Sequence, residues 1–125
     1  MTQKEKDLLV KDLSARLPYG VKVKIKYYDD AWELLAIYTN GTTYAARDIG
    51  YPIETYFEDC KPYLFPLSSM TEEQEEELIK YMAKDWNDMR YHTPDSIDWL
   101  NAHHFDFRNL IGRNLAIDCT NLNIY

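Results

Sequence analysis

The fold is decided by one continuous stretch, Val21-Lys-Val-Lys-Ile-Lys-Tyr-Tyr-Asp-Asp-Ala-Trp-Glu-Leu-Leu-Ala-Ile-Tyr-Thr-Asn-Gly-Thr-Thr-Tyr-Ala-Ala-Arg47. Apolar and lysine side chains alternate strictly over residues 21–28, which is typical of a half-buried β-strand. Asp29-Asp30 and Asn40-Gly41 mark two turns, because these residue types tolerate the backbone that tight turns require. The stretch therefore predicts a three-stranded antiparallel meander over residues 21–28, 32–39 and 42–47.

Two-residue turns would fix the register of this meander. Ile25 then pairs with Leu34, and the other predicted pairs are Tyr27–Trp32, Lys26–Glu33, Ile37–Tyr44 and Ala36–Ala45. One face becomes a predicted core side of Val21, Val23, Ile25, Tyr27, Trp32, Leu34, Ala36 and Tyr38. The opposite face mixes Lys22, Lys24, Lys26 and Glu33 with Leu35, Ile37 and Tyr44. Because that face is too apolar to be wholly solvated, we expect something to cover part of it.

Helical patterns flank the meander. Residues 2–17 carry leucines at helical spacing, and Pro18 and Gly20 end the pattern. Thr71 and Gln74 form a capping box that opens a long helix. Its predicted buried face is Leu78, Met82, Trp86 and Met89, with Ile79 alongside. A further helix begins at Thr93-Pro94.

The remaining segments complete the predicted architecture. Residues 48–69 predict an ordered, aromatic crossing segment with a short edge strand near residues 53–57, because prolines discourage a central strand. Residues 114–118 resemble a last strand. We therefore predict a single α+β domain over residues 1–125. The meander, extended by one or two short strands, packs against an N-terminal helix and two C-terminal helices.

Composition narrows the functional classes. The 125 residues carry a net charge of −7, which argues against a general nucleic-acid coat. Residues 1–7 hold no apolar signal core and no run has membrane-spanning length, so we expect a soluble, cytoplasmic protein with no membrane partner. Cys60 and Cys119 fit that compartment as reduced thiols. Eleven tyrosines against four phenylalanines favour amphipathic margins or a contact surface.

Residues 91–108 contain all three histidines together with several acids. The sequence lacks the residue spacing of a metal site, and it lacks both a Gly-rich phosphate loop and the nucleophile elbow of a hydrolase. It therefore predicts no metal and no cofactor. An acid–base pair of His103 or His104 with Asp106 stays open as an enzyme alternative. Cys60 has no histidine nearby in sequence, which argues against a nucleophilic thiol.

The run Phe105-Asp106-Phe107-Arg108 has two interpretations. In the first, Asp106 caps a short turn and Arg108 pairs with Asp98 or Asp106. In the second, aromatic side chains and an arginine form an exposed contact patch, the composition that protein interfaces favour. The candidate protein-binding residues are Trp99, His103, Phe105, Arg108, Tyr56 and Tyr63, within a surface that includes residues 51–65.

A lysine face on the first strand offers a different partner class. Lys22, Lys24 and Lys26, continued by Tyr28, resemble a small platform for single-stranded nucleic acid. The net charge and the predicted Lys26–Glu33 pair argue against it, and solvated strand faces often carry lysine. Nucleic-acid binding is therefore the alternative hypothesis.

Three further blocks of the sequence are distinctive: Asp12-Leu-Ser-Ala-Arg-Leu-Pro-Tyr-Gly-Val-Lys-Val23, Cys60-Lys-Pro-Tyr-Leu-Phe-Pro-Leu-Ser-Ser-Met-Thr-Glu-Glu-Gln-Glu-Glu-Glu77 and Asp98-Trp-Leu-Asn-Ala-His-His-Phe-Asp-Phe-Arg-Asn-Leu-Ile111. Together they resemble a recurrent family of small uncharacterised proteins of gut anaerobes and their prophages. The family has no assigned activity, so the resemblance supplies no catalytic residues. It implies a phage or mobile-element setting, where small binding or modulating proteins are common.

These observations together predict a non-enzymatic protein-interaction or modulating module. The expected partner is another protein, and a homodimer would cover the mixed face of the meander.

Overall fold

The computed structural model describes residues 1–82 and 93–125. Three helices are present there: α1 (Gln3–Arg16), α2 (Glu72–Ile79) and α3 (Pro94–Ala102). The strands are β1 (Lys22–Ile25), β2 (Ala31–Ile37), β3 (Thr42–Ala46), β4 (Ile53–Tyr56), β5 (Cys60–Pro66), β6 (Phe105–Asp106) and β7 (Ile117–Asp118). Short 3₁₀ turns occupy Leu17–Tyr19, Phe57–Asp59 and Leu67–Ser69.

The sheet has the strand order β4-β3-β2-β1-β5-β6, and β7 also pairs with β5. All pairs among β1–β4, and the β1–β5 pair, are antiparallel. The pairs of β5 with β6 and with β7 are parallel. The predicted α+β class and its antiparallel meander are confirmed, and the predicted short edge strand is β4.

The predicted register between the first two strands is wrong. Lys22 pairs with Glu33, and Val23 pairs with Trp32, so β1 ends at Ile25 and a five-residue loop replaces the expected two-residue turn. Tyr27 lies in that loop with φ +74°, outside the predicted core face. The alternation of residues 21–28 continues past the end of the strand, so it could not show where the strand stops.

The second hairpin also departs from the prediction. Ile37 pairs with Thr43, and Tyr38 donates its N–H to the carbonyl of Thr42, so the loop has three residues. Gly41 closes it with φ +89°, a conformation that costs glycine little. A bulge between Leu34 and Ala36 shifts the pairing. Past the bulge, Ile37 packs against the core and Tyr38 is exposed, the reverse of the predicted faces.

Strand β5 lies inside the sheet, although its prolines predicted otherwise. The N–H of Lys26 donates to the carbonyl of Asp59, and in an antiparallel ladder hydrogen-bonded pairs alternate with non-hydrogen-bonded pairs. Counting from Lys26, the Val23–Pro62 pair is non-hydrogen-bonded, so the ladder needs no N–H at position 62. On the other side of β5, pairing begins only at Tyr63. The proline therefore costs the sheet no ladder bond.

The hydroxyl of Tyr125 joins β1 to β5 where a ladder bond is missing. It accepts a hydrogen bond from the N–H of Lys22 at 2.9 Å and donates to the carbonyl of Tyr63 at 2.9 Å. The ammonium of Lys22 donates to the carbonyl of Ile124 at 3.1 Å. Residues 124 and 125 are thereby held against the β1–β5 seam.

Helix α1 covers the core face of the sheet. Thr2 and Glu5 form a reciprocal capping box at its start. Leu9 and Leu13 are fully buried, and each such side chain stabilises the fold by about 1.5–3 kcal/mol relative to exposure. They join a cluster with Val21, Val23, Ile25, Trp32, Leu34, Ala45, Phe57, Cys60, Leu64, Leu110, Leu115 and Ala116.

A second apolar cluster lies beside the first. Leu78 of α2 packs there with Trp99 and Leu100 of α3 and with Phe105 of β6. Helix α2 begins at the predicted capping box, Thr71 and Gln74. The predicted buried positions Trp86 and Met89 lie outside the described residues.

Candidate functional site

Asp106 is a capping residue in the structure. Its two carboxylate oxygens accept from the N–H groups of Leu110 and Ile111 at 2.8 and 2.9 Å. The side chain is buried, and both oxygens face donors of the turn that follows β6. The capping interpretation of the sequence is confirmed for this residue.

Arg108 belongs to a buried ion network and pairs with neither of its predicted partners. Its Nη1 lies 2.7 Å from Oδ1 of Asp12 and 3.1 Å from Oδ1 of Asn101. Asp12 also binds Arg16 through Nε at 3.0 Å. Arg16 donates further to the carbonyl of Phe105 at 2.6 Å. This network joins α1, α3 and the segment after β6, so its polar atoms are engaged in holding the fold together.

The two adjacent histidines face different surroundings. His103 is exposed; its Nδ1 lies 2.9 Å from the carbonyl of Trp99, and its ring stacks on the indole at 4.0 Å. His104 is buried and stacks on Tyr125 at 3.9 Å. Because both oxygens of Asp106 bind backbone N–H groups, the predicted His–Asp acid–base pair is absent from this arrangement.

His104 holds its imidazole in the neutral form. Burial lowers the pKa of His104 from 6.5 to about 4, and the positive charge of Arg16 acts in the same direction. Within the described part of the chain, its Nδ1 has no hydrogen-bond partner. Residues 1–82 and 93–125 contain no group of three His, Cys, Asp or Glu side chains that could hold a metal ion.

Both cysteines are buried free thiols. The Sγ of Cys60 lies 3.5 Å from Oγ1 of Thr43 and 3.7 Å from the carbonyl of Tyr56. Burial raises the pKa of Cys60, and it raises the pKa of Cys119 to about 11. Neither thiol is prepared for nucleophilic chemistry, because the thiolate is the reactive form.

Most of the predicted protein-binding side chains do not form a surface. Trp99 and Phe105 belong to the second apolar cluster, and Tyr63 is buried on β5. The guanidinium of Arg108 stacks on Phe107 at 4.1 Å and is largely covered. His103 and Tyr56 are exposed, but they stand on different parts of the fold. The expectation of one patch is wrong because these aromatic side chains complete the core between α3 and the sheet.

The predicted lysine face is only partly assembled. Lys22 and Lys24 lie on the sheet face opposite the core, and both ammonium groups donate to backbone carbonyls, those of Ile124 and Tyr28. Lys26 lies beyond the end of β1, with its Nζ 5.2 Å from the Tyr27 ring. Tyr28 packs edge-on against Trp32, with 5.2 Å between the ring centroids. The four side chains therefore do not line one continuous stacking platform.

Four of the exposed large apolar side chains, including the three most exposed, lie on two neighbouring loops. One loop, residues 26–30, joins β1 to β2, and the other, residues 47–52, joins β3 to β4. Tyr27 and Tyr51 are 90% exposed and Ile49 is 77% exposed. We call Tyr27, Tyr28, Ile49 and Tyr51 the two-loop patch. Isolated exposed apolar residues are common, but several on adjacent loops are typical of contact sites.

Arg47 holds the two loops together. Its Nη1 lies 2.7 Å from Oδ2 of Asp30 on the first loop, and its Nε donates to the carbonyl of Ile49 at 3.1 Å on the second. The guanidinium also lies 4.6 Å from the Trp32 ring and 5.8 Å from the Tyr28 ring. One side chain thus fixes the spacing of both loops, using the planar donors that distinguish arginine from lysine.

The backbone of Tyr27 is unusual for a bulky residue. Its φ of +74° is left-handed, a conformation that L-residues other than Gly, Asn and Asp rarely adopt. Such conformations cost on the order of 1 kcal/mol and are concentrated at functional sites. The Tyr27 ring is 90% exposed, and Lys26 Nζ lies 5.2 Å from its centroid.

A shallow groove of about 620 Å³ begins at these loops and runs onto the open face of the sheet. Ala31 and Ala46 contribute small side chains, and Asn123 and Ile124 line the side next to β1. The charged lining residues are Lys22, Asp30, Glu33, Arg47 and Asp48, and Ile49 of the two-loop patch completes the list. The groove and the two-loop patch together form the candidate site.

The sequence predicted part of this candidate site. Tyr51 lies in the aromatic segment proposed for contact, and Asp29-Asp30 marked the first loop. The contribution of Ile49 was missed, and Tyr27 was assigned to the core. The segment Asp48-Ile-Gly-Tyr-Pro52 carries the available signal, since glycine and proline around exposed apolar residues favour a projecting turn.

None of the helices within the described ranges is long and apolar enough to cross a membrane. Comparison of the chain with family models, with curated proteins and with solved structures found no match.

Proposed function

We propose that this protein is a small, non-enzymatic protein-interaction module whose contact surface is the two-loop patch. The observation that carries the proposal is the exposure of Tyr27, Ile49 and Tyr51 on loops that one arginine holds together. Tyrosine is enriched at the energetic centres of interfaces, because its rigid ring offers a large area at low entropic cost. The two-loop patch therefore replaces, as the proposed contact surface, the protein-binding residues expected from the sequence, most of which are buried.

The arrangement of the loops favours binding. Contact residues lose less conformational entropy on association when they are already positioned by the free protein. Arg47 supplies this order through its contacts with Asp30, Ile49 and Trp32. The patch is therefore prepared for a partner in a way that a flexible loop is not.

The setting that we propose is a phage or mobile element acting in the cytoplasm. The resemblance of the three sequence blocks supports the phage or mobile-element setting. The two buried free thiols support the cytoplasm, because that compartment is reducing. The arrangement of His103, His104 and Asp106 offers no support for the enzyme alternative. Single-stranded nucleic acid remains a partner class for the binding experiment to test.

The test begins with partner capture on the immobilised protein from cells of its own host, followed by purification of the captured protein. Affinity is then measured by calorimetry for Ile49→Ser and Tyr51→Ser. Each substitution should weaken binding by about tenfold or more, the effect of losing about 1.4 kcal/mol at a contact centre. Tyr38→Ser is the matched control, because Tyr38 is exposed at the opposite end of β2, next to the Asn40-Gly41 turn.

Two results would contradict the proposal. Binding that survives both patch substitutions places the contact elsewhere on the molecule. Binding that falls equally in the Tyr38→Ser control shows a general effect on the protein instead of a local one. Capture of short oligothymidylate that is lost at higher salt, without any captured protein, would favour the lysine face of Lys22, Lys24 and Lys26.

A further inference from the structure

We infer that the groove beside the two-loop patch receives an extended, cationic segment of the partner protein that carries two or more arginine or lysine residues. This inference rests on the proposed function and assigns the chemistry of the partner. It depends on three features of the groove, namely its uncompensated carboxylates, its length across the strands and the small residues in its lining.

The charges of the groove favour a cationic occupant. Asp30, Glu33 and Asp48 face Lys22 and Arg47, so three negative and two positive groups leave one net negative charge. Arg47 is already paired with Asp30. Within residues 1–82 and 93–125, neither Glu33 nor Asp48 takes part in an ion pair. Those two carboxylates are the free anchoring groups of the groove.

The whole chain reinforces this preference. Its net charge of −7 attracts cationic partners and repels both nucleic acid and a second copy of the chain. The ammonium of Lys22 is turned toward the carbonyl of Ile124, at the edge of the groove. An anionic occupant would meet three carboxylates against two cations, one of which, Arg47, is already paired with Asp30.

The dimensions suit a short extended segment. The groove crosses β1, β2 and β3, and neighbouring strands are about 4.8 Å apart, so that it spans roughly 10 Å. Glu33 pairs with Ala46, and Asp48 follows two residues later, beyond the end of β3, so the groove carries one carboxylate on β2 and one on the loop after β3. A segment with two basic side chains offers one cation to each of these carboxylates.

The lining lets a peptide backbone approach closely. Ala31 and Ala46 present only methyl groups, and Ile49 of the two-loop patch also lines the groove, so a bound segment would lie next to that patch. Aromatic faces attract guanidinium groups, so Tyr27 and Tyr51 are suited to a further arginine. The groove would bind the charged side chains of the segment, and the two-loop patch would make the apolar contacts with the partner protein.

The experiment is a titration of the full, ¹⁵N-labelled chain at low salt with two capped pentapeptides, Gly-Arg-Ser-Arg-Gly and Gly-Glu-Ser-Glu-Gly. The arginine peptide should shift the amide signals of Ala31, Glu33 and Asp48, and the glutamate peptide should not. The double variant Glu33→Gln/Asp48→Asn should bind the arginine peptide about fivefold more weakly, as expected for two exposed ion pairs.

The control is Glu76→Gln/Glu77→Gln on α2, which removes the same charge from exposed positions outside the groove. Its affinity should stay within about twofold of the parent protein. If both double variants lost the same affinity for the arginine peptide, the overall charge of the protein would explain the binding, and the inference would be overturned. The absence of shifts at the groove would also overturn it, as would shifts there caused by oligothymidylate instead of the arginine peptide.

The two proposals fail separately. If Tyr51→Ser abolishes capture of the protein partner while the arginine peptide leaves the groove signals unchanged, the two-loop patch stands and the cationic occupant is wrong. If the peptide binds but the patch substitutions leave protein capture intact, the proposed contact surface is wrong.

Discussion

Asp12 and Arg108 are 96 positions apart in the sequence, yet the Nη1 of Arg108 lies 2.7 Å from Oδ1 of Asp12. The same carboxylate binds the fully buried Arg16, so one acid is paired with two guanidinium groups inside the fold. Burial lowers the pKa of Arg16, and the charge of Asp12 opposes that shift. Arginine nevertheless stays protonated in proteins, so the network remains ionic.

Replacing Asp12 should therefore be costly. Asp12→Ala leaves the Arg16 guanidinium buried with no carboxylate beside it, and we expect the free energy of unfolding to fall by about 3–5 kcal/mol. Urea denaturation followed by circular dichroism measures this loss. Asp7→Ala on the exposed side of α1 is the control and should cost well under ~1 kcal/mol. Similar losses in the two variants would mean that the buried network contributes little.

The hydroxyl of Tyr125 should also stabilise the fold. Tyr125→Phe keeps the ring stacked on His104 but leaves the N–H of Lys22 and the carbonyl of Tyr63 without their shared partner. We expect a loss of about 1–3 kcal/mol in the free energy of unfolding. Tyr38→Phe removes an exposed hydroxyl and should change stability by less than ~0.5 kcal/mol. A Tyr125→Phe variant as stable as the parent protein would show that water replaces the bridge at no cost.

Stability should depend on pH through His104. Its pKa is lowered from 6.5 to about 4 in the folded protein, mainly by burial, so protonation favours the unfolded chain. The stabilisation is fully present above about pH 6.5 and is lost progressively as the pH falls toward 4. It amounts to at most about 3 kcal/mol.

The pH effect is measured by urea denaturation at several pH values in this window. His104→Asn is the matched variant, since asparagine tolerates the φ of +61° at this position and does not titrate. The parent protein should lose more stability between pH 6.5 and 4 than the variant does. Parallel pH profiles for the two proteins would contradict the assignment to His104.

Arg47 should matter more for binding than for folding. Arg47→Ala removes a largely exposed ion pair with Asp30, so we expect the free energy of unfolding to fall by only about 1 kcal/mol. Hydrogen exchange should accelerate in residues 26–30 and 47–52, because the shared guanidinium no longer joins them. Exchange that stays unchanged in both loops would show that their order has another source.

The sequence predicted the elements better than the connections between them. Alternation over residues 21–25 identified β1, the leucine spacing over residues 2–17 identified α1, and the capping box at Thr71 identified the start of α2. The predicted register was wrong where the structure has additional residues between the paired positions, in the loop around Tyr27 and at the bulge after Leu34. A period-two pattern gives the faces of a strand, but turn geometry sets its register.

Contacts between distant segments escaped prediction for a physical reason. Asp106 satisfies donors four and five residues away, and this local cap was predictable. The pairing of Arg108 with Asp12, and the burial of Trp99 and Phe105, depend on how α3 packs against α1 and the sheet. Asp106, Arg108 and His104 proved to be structural, whereas Ile49, which no sequence pattern marked, is one of the most exposed side chains.

The contacts of Arg47 have a consequence for how the two loops can diverge. The guanidinium contacts the side chains of Asp30 and Tyr28 on the first loop, but on the second loop it binds only the backbone carbonyl of Ile49. The side chains at positions 49 and 51 can therefore change while these contacts of Arg47 are kept. Related proteins that keep an acid at 30 and an arginine at 47 could acquire new binding partners through the residues at 49 and 51 alone.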